Sequence, residues 1–238
     1  MKELIFATNN KHKLQEVQEM LAGVVNIHSL SEMGLEGDIP ETADTLEGNA
    51  LQKVEWVLEQ LKSKGGDVRV DGVFADDTGL EVEALGGRPG VYSARYAGEH
   101  CSFDDNINKM LGEMEGKSNR RACFRTAICL VENGERETEN GERRTENGER
   151  RTGNGERRTE NGERRTRNGE RRTEYFEGRV DGIILTERYG KEGFGYDPIF
   201  MPDRFAVSFA EMPLEVKNRI SHRGRAVAKL VEHLKANS

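Results

Sequence analysis

Apolar positions in this chain follow two rhythms, short continuous runs and longer amphipathic stretches, and both vanish between Asn133 and Glu174 before resuming. The segment Lys2 to Ala7 carries the run Leu4 to Ala7 and predicts a short buried strand. Polar Thr8 to Lys13 follows, after which Leu14, Val17 and Leu21 recur on one face of a helix. Asp44 and Glu47 stand at capping-box spacing before a second helix striped by Ala50, Val54, Val57, Leu58 and Leu61, which Lys62 to Gly66 should end. Val73 to Ala75 predicts another strand, broken at Asp76-Asp77-Thr78-Gly79 and resuming at Leu80-Glu81-Val82. Gly86 to Gly90 reads as a rigid turn, and Ser102 with Asp105 can cap a helix bearing Ile107, Met110, Leu111 and Met114. Cys123 to Glu132 and Tyr175 to Thr186 predict the arms of a hairpin, and a last helix turns Val227, Leu230, Val231 and Leu234 inward. Alternating strands and helices favour the α/β class.

The apolar gap repeats Asn-Gly-Glu-Arg-Arg-Thr-Glu in near-identical copies. Seven is the coiled-coil period, yet the copy holds no apolar residue to form a seam. Asn-Gly is a hairpin turn signal, but the residues between lack the alternation that holds a strand. The expected organisation is therefore one two-lobed domain of residues 1–132 and 175–238, with 133–174 a solvated, disordered insertion at a hairpin tip. A net charge of −7 argues against a nucleic-acid or anionic-membrane partner, which would need a positive field. Neither a leader nor a membrane-spanning run is readable, so a cytoplasmic location is expected. Cys101, Cys123 and Cys129 lack metal-ligand spacing and read as buried reduced thiols.

Four segments could carry chemistry. Thr8, Asn9, Asn10, Lys11, His12 and Lys13 stand where a strand hands over to a helix, a position whose N–H donors and partial positive charge suit phosphate; a plain solvated loop is the competing reading. Asp76 and Asp77 would point in opposite directions on an extended backbone, one holding structure and the other meeting solvent, or would simply cap a turn. Carboxylates facing a phosphate loop require a hard cation between them, with Glu41 as a second oxygen ligand. Phe194, Gly195, Tyr196 and Asp197 combine aromatic faces with glycines that admit a planar ligand, unless they only pack the core. Lys217, His222 and Arg223 cluster donors around Ser221, a candidate N-cap, or decorate a basic surface.

Together these motifs resemble the inosine triphosphate pyrophosphatases, also named dITP/XTP pyrophosphatases. The resemblance rests on Thr8 to Lys13, Ala75 to Leu80, Gly86 to Tyr96, Phe194 to Phe200 and Ser221 to Gly224, in family order and across nearly the whole chain outside the repeat. It implies an elongated α/β fold around a mixed twisted sheet, a homodimer, and Mg²⁺-dependent hydrolysis of ITP, dITP and XTP to the monophosphate and pyrophosphate. By motif, Thr8 to Lys13 would hold the triphosphate, Asp77 would be proton acceptor and metal ligand with Glu41, and Thr78 would touch substrate. Phe194 to Asp197, Lys217, His222 and Arg223 would receive the nucleoside. A nucleotide-binding scaffold without turnover, its repeat recruiting a partner, is the rival reading.

Overall fold

The computed structural model describes residues 1–64, 70–132 and 171–237. Most of the expected insertion, residues 133–170, lies outside the described residues. The chain runs β1 (Lys2–Phe6), α1 (Lys11–Leu21), β2 (Val25–His28), α2 (Leu46–Ser63), β3 (Gly72–Val82), β4 (Pro89–Gly90) and α3 (Phe103–Glu113). It continues through β5 (Arg121–Glu132), β6 (Arg172–Ile184), β7 (Phe200–Pro202), α4 (Leu214–Ile220) and α5 (His222–Ala236). The strands form one mixed sheet in the order β2-β1-β3-β5-β6-β7, with β4 paired to β3. β1 is parallel to β2 and β3, and the remaining pairs are antiparallel.

Strand alternation sorts the core onto two faces. Even-numbered Leu4, Phe6, Phe74, Ile128 and Leu130 meet α1 and α5 through Val17, Leu21, Val227 and Leu230. Odd-numbered Ile5, Val73, Ala75, Cys129 and Val131 meet Ala50, Val54 and Val57 of α2. Beyond this block, the far ends of β3, β5 and β6 pack Leu80, Phe124 and Val180 against Ile107 and Met110 of α3 and against Phe200 and Phe209. The long strands thus join two lobes across a cleft, in agreement with the α/β mixed-sheet expectation.

Three local expectations change. β3 is continuous through Asp76 to Gly79, because every residue from Gly72 to Val82 pairs with β5; the acids sit inside a strand and not at a break. The N-cap of α2 is Thr45, whose hydroxyl accepts from Gly48 N, and not Asp44. β6 begins at Arg172, inside the expected insertion, since Arg172, Thr173 and Glu174 continue the register opposite Glu132, Val131 and Leu130. Cys123 and Cys129 are buried as expected, and burial pushes their thiols up to about 11 and about 12. Cys101 is only half-buried, against the expectation, because it lies in the loop before α3.

Candidate active site

α1 opens the site. Asn10 caps it, its side-chain oxygen accepting from His12 N and Lys13 N, and Asn9 Nδ2 donates to the Gly37 carbonyl. Thr8, Asn9, Asn10 and Lys13 line a cavity of about 470 Å³ between the lobes. Lys11 and His12 do not line it: both side chains are exposed, and the His12 ring stacks on Phe194. The first turn of α1, which begins at Lys11, turns these two residues outward, whereas the sequence reading expected all six residues from Thr8 to Lys13 at the phosphate.

Adjacent positions in β3 send the two acids to opposite faces of the sheet. Asp76 is buried and ion-paired to Lys13 at 3.0 Å and to Arg223 Nε at 3.0 Å. Burial pushes its carboxyl up, but Lys13 and Arg223 outweigh that and hold it well below the ordinary carboxylate range. On the other face Asp77 accepts from Lys53 Nζ at 3.1 Å and Asn49 Nδ2 at 3.0 Å, and it lines the cavity with Thr78. Lys53 also pairs with Glu41 at 2.5 Å, while Arg95 Nη1 sits 3.5 Å from that same carboxylate. Burial raises the Glu41 carboxyl, yet Lys53 outweighs it and leaves the group below its usual value.

Glu41 and Asp77 therefore converge on a single point already held by a cation, the Lys53 ammonium. Their donor set is all-oxygen, and no group of three His, Cys, Asp or Glu fit to hold a metal occurs among the described residues. Two carboxylates suit Mg²⁺, which is commonly bound by one or two carboxylates together with substrate phosphates. The residues present fit the ion.

The opposite end of the cavity is aromatic. Gly193 and Gly195 take left-handed backbone, so the turn wraps Asp197, whose Oδ2 accepts from Phe194 N at 2.8 Å and from Lys217 Nζ at 2.8 Å. Asp197 has its carboxyl raised by burial despite Lys217 beside it. Lys217 also meets Glu16 at 2.7 Å, and Tyr196 donates its hydroxyl to Ser93 O. Ser221 caps α5 as expected, accepting from Gly224 N, and His222 lies in the first turn stacked on Phe124 at 4.6 Å and 16°. Burial, then Arg223 and Lys217, hold the His222 imidazole well below its ordinary value, so it is neutral. Its Nδ1 is the one buried side-chain polar atom among the described residues with no hydrogen-bond partner. Burial of Lys217 and Arg223 removes the basic-surface reading of these residues.

A family model described as the Ham1 family matches residues 4–156 and 165–233. The chain belongs to the Ham1 family. A dITP/XTP pyrophosphatase of Flavobacterium johnsoniae is 43% identical over 234 residues, spanning 98% of both chains. One of the same name from Porphyromonas gingivalis is 43% identical over 235 residues, again spanning 98% of both. Among solved structures, the Staphylococcus aureus Ham1 protein matches with a TM-score of 0.73 and 32% identity over the full length of both chains. The HAM1 protein of Coxiella burnetii matches with a TM-score of 0.73 and 31% identity over 99% of this chain and 100% of its own. Sequence reasoning passed over Lys53, Asn49 and Glu16, which the fold brings against Asp77, Lys217 and Arg223. The available signal was a charge on an apolar face: Lys53 falls within the Ala50-Val54-Val57 stripe, and Glu16 beside Val17.

Proposed function

We propose that this nucleoside triphosphate pyrophosphatase hydrolyses ITP, dITP and XTP to the monophosphate and pyrophosphate with Mg²⁺, as a cytoplasmic homodimer built on one two-lobed domain. The observation that carries the reading is buried, neutral His222, whose Nδ1 has no hydrogen-bond partner and which lines the cavity whose other end gathers Lys13, Lys53, Asp77 and Glu41. A buried polar atom without a partner costs about 1–3 kcal/mol, a cost that a ligand atom bonded to it removes. A 6-oxo purine presents an acceptor at O6, where adenine presents a donor. A protonated Nδ1 donates to that O6, and Arg223 has three of its five N–H donors committed to Asp76, Glu16 and Thr78, which leaves others for the base. Adenine would face these donors with a donor of its own.

At the phosphate end, Lys13 and the first turn of α1 hold the triphosphate, and Asp77 takes the proton of the attacking water. Asn49 fixes one Asp77 oxygen while Lys53 orients the other, so the base is preset before substrate arrives. Mg²⁺ held by Asp77, Glu41 and phosphate oxygens would supply charge neutralisation for the departing pyrophosphate. Support for the substrate class also comes from the names of the relatives, and support for the dimer from the family resemblance. The test is pyrophosphate release from ITP, XTP, GTP and ATP with and without Mg²⁺. ITP and XTP should be preferred over ATP by at least about tenfold, the scale of one good base contact. Equal rates on ATP refute the base reading, and full activity in chelator refutes the metal role.

A further inference from the structure

Three rings from three separate segments meet at the mouth of the cavity. His12 on α1 stacks on Phe194 at 5.3 Å and 16°, Phe103 on α3 lies 6.0 Å from Phe194 at 44°, and His12 and Phe103 approach edge-on at 6.3 Å. Phe194 is pinned, with its amide on Asp197 and with Lys217 and Arg223 lying 5.1 and 5.4 Å from its ring centre. Phe103 is less constrained: the residue is 43% exposed and lines the cavity, with its backbone fixed by the Ser102–Asp105 capping box and its ring resting against His12 and Phe194. A partly exposed phenyl on the first residue of a helix leaves apolar surface in water beside the cavity, surface that a flat ring would cover.

Resting on the substrate class proposed above, we propose that Phe103 is a substrate-binding residue that closes over the purine at the cavity mouth, with His12, which packs against both Phe103 and Phe194, as a positioning residue. The two torsions of the Phe103 side chain supply this movement without moving α3. Because α1 carries His12 and α3 carries Phe103, closure also ties one lobe to the other across the bound nucleotide.

The experiment compares Phe103→Ala, Phe103→Tyr, His12→Ala and His12→Phe with the unaltered chain, measuring kcat and KM for ITP and XTP and inhibition by inorganic tripolyphosphate. Phe103→Ala should raise KM for both nucleotides at least about fivefold, the low end of losing one base–aromatic stack, with a smaller change in kcat. Phe103→Tyr should restore KM, and the tripolyphosphate inhibition constant should stay within about twofold, since that ligand has no base. His12→Ala should raise KM in the same sense, and His12→Phe should restore it. A KM within twofold in Phe103→Ala, or an equal weakening of tripolyphosphate, overturns the assignment. If the unaltered chain hydrolyses no purine triphosphate, the substrate reading falls and takes this inference with it; an active parent with an indifferent Phe103→Ala defeats the inference alone.

Discussion

Asp76 and Asp77 are neighbours with opposite duties, because a strand sends adjacent side chains to opposite faces. Asp76 compensates two buried cations, Lys13 and Arg223, whereas Asp77, held by Lys53 at one oxygen and Asn49 at the other, lines the cavity. Asp77→Asn should consequently lower kcat at least about a hundredfold, as removal of a general base predicts, with a smaller loss of stability than at Asp76 because Lys53 keeps its pair with Glu41. Asp76→Asn should instead lose about 3–5 kcal/mol in urea unfolding, the scale for breaking a buried ion pair and stranding its partners. Equal loss of activity at equal stability in the two variants would refute this division. The sequence displayed the opposite orientation of the acids and the donors around Ser221, since both follow from local geometry. It did not display Lys53 as the bridge from Glu41 to Asp77, because those partners come from a loop and a different strand that only the tertiary fold brings together.

At the scale of elements, the helices were legible wherever a 3.6-residue stripe stood beside a cap, as in α3 with Ser102 and α5 with Ser221. β2, β4, β7 and α4 were not, being segments of seven residues or fewer, too short for a periodic apolar pattern to declare itself. The apparent break in β3 arose from reading polarity as exposure, when its acids are buried against cations. One glycine shows how closely the elements fit. A Cβ on Gly178 of β6 would lie 1.9 Å from the His222 carbonyl oxygen and 2.6 Å from Ala226 N, both backbone atoms of α5. Gly178→Ala must therefore push the first turn of α5 off the sheet, costing about 1–3 kcal/mol as overpacking does, and it displaces His222 and Arg223 with it. KM for ITP should rise alongside the stability loss. Gly112→Ala in α3, where a Cβ meets nothing within 4 Å, should leave KM alone and gain up to about 1 kcal/mol. A Gly178→Ala chain with normal KM would separate the strand contact from the base end.

For the whole molecule, the repeat enters where β5 and β6 are still in register, with Glu132 opposite Arg172. That end is fastened independently of the tract: Glu132 pairs with Lys2 of β1 at 2.8 Å and lies 3.2 Å from His233 of α5, so two other elements hold the strand where it leaves the sheet. Glu132 also stands opposite Gly72, four residues along β3 from Asp76, which at about 3.3 Å per residue places the entry point about 13 Å from the acids. Replacing residues 133–171 with Asn-Gly would join the paired ends by a two-residue turn suited to the twist of a hairpin. Closing a loop costs entropy that grows with the logarithm of its length, so the shortened chain should be as stable as the parent or more stable by up to about 2–3 kcal/mol. Its kcat and KM for ITP should remain within a few-fold, because none of the side chains around the cavity is removed. Measured by urea unfolding and pyrophosphate release, a loss of stability or a collapse of turnover would show that the tract belongs to the domain and is not an insertion into it.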